Sequence, residues 1–313
     1  MPTTISQIPT SQEVTTSADR LRHSFSAMRV SFTWMGTRKS LSTDQRQQAA
    51  SQFGAEEKYI SAGKKLLDTA HPAMRSVNQL RRQVVDYWKG MSLPFPEPGV
   101  RLVRQADLEQ LSDMMEGRRA QLQAAVRELE INAVEIKQQA AERLGSLYCE
   151  SDYPLSFIGL FDVQWDFPNV EPPEYLRRLQ PEIYEQECSR MRSRFDEAVQ
   201  LAEQAFVEEL SALVSHLSER MAGSEDGKPK VFRDSAIDNL NEFFDRFQRL
   251  NVSSSSELDE LVARARGVVS GVQPQSLRSD TSLRQQVATQ LSGVQSVLDG
   301  LLVDRPRRRI LRG

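Results

Sequence analysis

Cysteine is nearly missing from this 313-residue chain: Cys149 and Cys188 are the only two. Two lone thiols make no disulfide framework, so a reducing, cytoplasmic setting is expected. Histidine is scarce as well. His23, His71 and His216 lie far apart, with no HExxH spacing and no cysteine beside any of them, which argues against a zinc site. No apolar run approaches the roughly 20 residues that span a bilayer. The opening stretch MPTTISQIPTSQEVTTS has neither the basic nor the apolar block of a secretory signal, so neither export nor a membrane role is expected.

Catalytic signatures are absent too. There is no GxSxG and no glycine-rich dinucleotide fingerprint. Gly63-Lys64-Lys65 has a superficial likeness to a phosphate loop, but the preceding glycine, Gly54, is badly spaced and no Ser or Thr follows the lysines. Those lysines are expected on a solvated helix face. Asp162 and Asp166 share the polar side of a predicted strand without a third carboxylate, and solvation is the expected state of both. Cys149 has no basic neighbour in its local run YCESDYP, and Cys188 falls on an apolar helix stripe, so both thiols are expected to be inert. These absences predict a non-enzyme with no cofactor and no metal.

What the chain does have is helical periodicity. Apolar residues make up 39% and charged residues 27%, a balance suited to long two-faced helices rather than one large core. Residues 106–148 carry Leu108, Leu111, Met115, Leu122, Val126, Leu129, Ala133, Ile136, Ala140, Leu144 and Leu147 at three- and four-residue steps, with Arg118 as the polar intruder. Residues 175–222 repeat the pattern through Met191, Phe195, Ala198, Ala202, Phe206, Leu210, Leu213 and Leu217. Each predicts an unbroken helix of about 65–70 Å at 1.5 Å per residue. Neither can bury its stripe alone, so the two are expected to pair as an antiparallel coiled-coil hairpin, Leu129 opposite Ala198 or Ala202.

Around this hairpin the reading is mainly α with a small β-sheet. FSAMRVSFTW alternates, with Met28, Val30, Phe32 and Trp34 on one face, and predicts a strand. Val100–Leu102 and Leu160–Phe167 predict two more. Residues 42–90 read as helix, interrupted at His71-Pro72. Residues 1–19 read as disordered and 20–222 as a strand-plus-coiled-coil domain. GSEDGKPK at 223–230 reads as a boundary, and 231–303 as a C-terminal helical domain whose last helix Asp280 or Thr281 caps. The remaining 304–313 form a basic tail. Its arginines include Arg305, Arg307, Arg308 and Arg309, and without RPRRRILRG the other residues sum to −8.

Two patches are candidate partner-binding sites. Trp34, Arg38 and Lys39 surround a turn after the first strand, and the tail arginines form an electrostatic arm or simply a cationic helix end. The stretches VSFTWMGTRKSL, EKYISAGKKLLDTAHPAM and LFDVQWDFPNV, with the long helices between them, resemble a family of uncharacterised helical proteins of bacteria, phages and plasmids. The resemblance covers about residues 25–222. It implies a position beside a MoxR/CobS-like AAA+ ATPase and a von Willebrand factor A-type protein, and an accessory role in defence or mobile-element maintenance, with no assigned active site. The expected function is a non-catalytic adaptor or assembly subunit that binds protein partners, such as an AAA+ ATPase or further copies of itself, through helical surfaces. The alternative is a nucleic-acid-binding subunit that uses the arginine tail and basic helix faces.

Overall fold

The computed structural model describes residues 16–221 and 235–303. The predicted boundary at 223–230 and the basic tail with Arg305, Arg307, Arg308 and Arg309 lie outside the described residues. In chain order the elements are α1 (Ser17–Ser24), β1 (Phe25–Trp34), β2 (Arg38–Ser40), α2 (Thr43–Gln52), β3 (Gly63–Lys65), α3 (Pro72–Gly90), β4 (Ser92–Pro94) and β5 (Val100–Arg104). There follow α4 (Leu108–Ile131), α5 (Ala133–Leu144), β6 (Phe161–Asp166), α6 (Glu174–Leu179), α7 (Pro181–Met221), α8 (Ser235–Leu250), α9 (Ser256–Val269), α10 (Pro274–Ser279) and α11 (Thr281–Val303). The chain is mostly helical with a small antiparallel sheet, as its periodicity predicts. It divides into two compact units, and β1 passes from one to the other at Ala27–Met28.

The first unit gathers residues up to 27, 92–105 and 169 onward. Helix α7 runs for 41 residues, and its stripe from Met191 to Met221 is buried. The cover on that stripe comes from α11, α1 and α8. Helix α11 offers Val287, Leu291, Val294 and Leu298 at alternating four- and three-residue steps, the spacing that keeps one seam facing a neighbouring helix. Within this seam the Gln295 amide donates to the buried Ser211 hydroxyl at 3.0 Å. Helix α8 adds Phe243 and Phe247, whose rings pack on Phe206 with centroids 6.1 and 4.9 Å away. The helices on either side of residues 223–230 therefore share one apolar core. Helix α11 begins where Asp280 accepts from the backbone N–H of Ser282 and Leu283, satisfying two of the donors a helix start leaves open. At the other end of the chain, Ser17–Asp19, read as part of a disordered N-terminus, are helical. Thr16 and Asp19 close a reciprocal capping box that starts α1.

The second unit holds residues 28–91 and 106–168. Strands β1 and β6 pair antiparallel, with Val30 opposite Trp165, Phe32 opposite Val163 and Trp34 opposite Phe161. The predicted alternation holds, since opposite residues share a face. Helices α3 and α4 pack on each other, and α4 also packs on β6. The buried face of α4 is Leu111, Met115, Leu122, Val126 and Leu129, as its spacing predicts. Arg118, the intruder, donates to Gln83 of α3 at 2.9 Å and to Gln121 at 3.0 Å.

Two expectations are corrected here. Residues 106–148 are not one helix: Asn132, with φ −87° and ψ 4°, interrupts it between α4 and α5, and its side-chain amide donates to the Glu128 carbonyl at 2.7 Å. A side chain competing for the carbonyls of its own helix is a local reason for a break. The expected pairing of the α4 and α7 stripes as one hairpin is not specifically borne out: α4 takes cover from α3 and β6, and α7 from α11, α1 and α8. Residues 42–90 are not one interrupted helix either. Gly54 turns the chain out of α2 at φ +63°, Tyr59 stands exposed in a single 3-10 turn, and Gly63–Lys65 forms a strand. The helix restarts at His71-Pro72 as expected, with proline at its first position.

Candidate functional site

The site is built on the strand that the periodicity missed. Strand β3 pairs antiparallel with β2, placing Arg38 opposite Lys65 and Lys39 opposite Lys64. Backbone bonds from Leu66 to Thr37 at 2.8 Å and from Leu41 to Ala62 at 3.1 Å extend the ribbon at both ends. A Cβ on Gly63 would meet the Lys39 carbonyl oxygen at 3.1 Å, so glycine is what lets the two strands approach. The result is a two-stranded ribbon with four cations. Like charges directly opposite each other destabilise a strand pair, so each pair calls for an anion.

One pair has its anion inside the protein. Lys39 and Lys64 share a face, and the Asp152 carboxylate lies 2.5 Å from each ammonium. The Lys64 and Asp152 side chains are 6% and 5% exposed, whereas that of Lys39 is 54% exposed. Lys64 also donates to the Leu147 carbonyl at 2.6 Å, so this buried ammonium is satisfied from two directions. Hydrogen bonds from Lys39 and then Lys64, and more weakly the positive charges of Lys64 and Lys39, hold the Asp152 carboxyl below its ordinary range, and Asp152 in turn raises the Lys39 ammonium. Lys64 is therefore no solvated helix lysine but the buried arm of an ionic clamp.

The other pair has no such partner. Arg38 and Lys65 project from the opposite face, both exposed, with no ion pair to a described residue. Beside Lys65 opens a cavity of 270 Å³ floored by Leu66, Leu67, Ile136, Ala140 and Leu144, with His71 and Arg143 at its rim. Arg143 is paired with Asp68, whose carboxyl is held low first by the Ala70 backbone N–H and then by Arg143 itself. A second, wider cleft of 680 Å³ shares Asp68, His71, Gln139 and Arg143, and carries Glu128 and Glu135 on its wall. The imidazole Nε2 of His71 lies 4.0 Å from Glu135.

Of the residues predicted to bind a partner, Arg38 and Lys39 sit side by side on the ribbon but point to opposite faces. Trp34 has different company. Its ring packs edge-on against Phe161 at 5.0 Å and Phe32 at 6.1 Å, while the Arg81 guanidinium lies 4.8 Å above it. That geometry is a cation–π contact at the margin of a core. Asp162, expected to be solvated, accepts two hydrogen bonds from the Arg119 guanidinium at 2.9 and 2.7 Å, and Asp166 lies 3.4 Å from Arg29. Paired carboxylates like these serve structure. Cys149 does have a basic neighbour, supplied from β3: hydrogen bonds from Ser151, and more weakly the charge of Lys64, lower its thiol. No local run could reveal that, because Lys64 is 85 positions away in sequence. Cys188 is half-buried on α7.

Sequence reasoning passed over Lys64, Lys65 and Asp152 as site residues. The available signal was Gly63 itself, a poor helix residue in the middle of a supposed helix. No described helix is long and apolar enough to cross a membrane. Among known proteins, no family model matches the chain, and neither a curated protein nor a solved structure does. The fold and the site define a class: a mainly helical two-unit protein with a small antiparallel sheet and a cationic ribbon.

Proposed function

We propose that the protein is a non-catalytic adaptor or assembly subunit that binds protein partners through its helical surfaces. One observation carries this reading: large apolar side chains stand exposed together where α4 breaks into α5. Ile131 is 76% exposed and Val134 69%. The loop carrying Leu155, fully exposed at 100%, and Ile158, 54% exposed, is tied to the same break. The tie is made by Glu130, which accepts from the Phe157 backbone N–H at 2.6 Å, and by Lys137, which donates to the Pro154 carbonyl at 2.8 Å. Single exposed leucines are ordinary, whereas a group held in place by polar contacts on both sides supports a docking role.

The resemblance read from residues 25–222 makes an AAA+ ATPase the partner to try. Co-expression of the chain with a MoxR/CobS-like AAA+ ATPase of the kind that the resemblance implies, followed by affinity purification, tests the reading. Copurification with the native chain, lost in an Ile131→Glu/Leu155→Glu variant that keeps its helical circular dichroism, is the expected result. Failure to copurify, or copurification unchanged by the double variant, overturns it.

A further inference from the structure

The outward pair of the ribbon and the cavity beside it combine two features that a single ligand would use together. Arg38 and Lys65 are opposed like charges with no ion pair to a described residue, unlike Lys39 and Lys64 on the other face. Lys65 also lines the 270 Å³ cavity, whose floor is Leu66, Leu67, Ile136 and Leu144. That volume falls just under the roughly 300–1,000 Å³ of sites for whole small molecules. It suits one leucine- or phenylalanine-sized side chain, the kind of anchor on which protein interfaces concentrate their energy.

We propose that this face of the ribbon docks a peptide segment of a partner protein in which an acidic residue neighbours a large apolar one. The apolar side chain fills the cavity, and the carboxylate bridges Arg38 and Lys65, supplying the anion their pairing lacks through charge-assisted hydrogen bonds. A nucleic-acid strand fits less well. Its phosphates continue in both directions, and the adjoining cleft presents Glu128 and Glu135, which repel them. A peptide needs only one acidic position and makes no such demand. The inference rests on the adaptor reading in one respect, that the partner is a protein, and it uses a different surface from Ile131 and Leu155.

The test is fluorescence anisotropy on the full chain with a short labelled peptide of alternating glutamate and leucine, against its glutamine–leucine counterpart. The glutamate peptide should bind and the glutamine peptide should bind much more weakly. Arg38→Glu/Lys65→Glu should weaken binding by at least roughly tenfold, as expected for losing charged hydrogen bonds. Both residues are exposed, so that variant should keep its fold. Ala140→Phe, which fills the cavity from the half-buried side of α5, should weaken binding independently of charge, while Ile131→Glu/Leu155→Glu should leave it unchanged. No binding of the glutamate peptide, equal binding to the charge-reversed variant, or a single-stranded oligonucleotide that binds through Arg38 and Lys65 more tightly than the peptide would each overturn the inference. Peptide failure alongside intact ATPase copurification removes this site and leaves the adaptor reading standing. Lost copurification with intact peptide binding does the reverse.

Discussion

The two units solve the burial problem with different materials. In the first, α7, α8, α9 and α11 meet mainly through leucines, valines and phenylalanines, with polar ties such as Gln295 to Ser211 and Arg246 to Glu209 added around that core. In the second, α3 and α4 pack on each other, and the short strands and loops around them are joined by ionic ties: Arg119 to Asp162, Lys39 and Lys64 to Asp152, Arg143 to Asp68. Three of the carboxyls held below their ordinary range, Asp68, Asp152 and Asp162, belong to this unit. The lesson is about reach. A long helix finds cover along its whole stripe, whereas loops and ribbons need point attachments, and an ion pair with good geometry supplies one.

The comparison breaks first at the apolar cores, where the largest effects are expected. Leu129→Ala should destabilise by about 2–5 kcal/mol and Phe206→Ala by about 3–5 kcal/mol, because both open cavities in packed cores. Hydrogen exchange should show Leu129→Ala loosening α3, α4 and β6, and Phe206→Ala loosening α7 and α8. If Leu129→Ala left α3 and α4 fully protected, the packing of the second unit described above would be wrong.

Next come the ionic ties. Lys64→Ala removes a buried cation and leaves Asp152 to Lys39 alone, so its thermal midpoint should fall several-fold further than that of Lys58→Ala. Lys58 pairs with Glu56 in open solvent, and such pairs contribute at most about 1 kcal/mol. Equal midpoints for the two variants would return Lys64 to the solvated face that its sequence neighbours suggest.

The smallest expected effect is on the acid limb. Hydrogen bonds from Arg119 hold the Asp162 carboxyl, and those from the two lysines hold Asp152, below the ordinary value of 3.8. A carboxyl lowered in the folded state binds fewer protons there than in the unfolded chain. Its contribution is therefore complete above about pH 5 and fades as the pH falls through 4 towards the folded values. Denaturant midpoints measured from pH 6 down to 2 should decline less steeply in Asp162→Asn than in the native chain. An unchanged slope would mean that this tie carries no linkage.

Much of the helical framework was legible in advance. The spacing of apolar residues named most of the buried face of α4 and much of that of α7, though not Val207, Ser211 or Val214; alternation named β1 and β6, and Asp280 was one of two residues marked as a cap. Such features are local, set by a period of 3.6 or 2 and by side chains within a few positions. The ribbon was not legible, because Gly63-Lys64-Lys65 is three residues long and acquires its conformation from Arg38–Ser40 across the pair. Its chemistry was still less so, since Lys39, Lys64 and Asp152 stand far apart along the chain.

By itself the sequence determined which residues turn inward: periodicity encodes a face, and the hydrophobic effect buries that face against whatever apolar surface is available. It did not determine against what. Leu129 and Ala198 carry matching patterns, yet the first lies on α4, which packs on α3 and β6, and the second on α7, which packs on α11, α1 and α8, because heptad spacing carries no address for a partner. Only the tertiary structure divided four lysines and arginines of one ribbon into an inward pair clamped on Asp152 and an outward pair facing solvent. The reason is that strand pairing sends neighbouring side chains to opposite faces, and long-range packing decides which face meets a carboxylate.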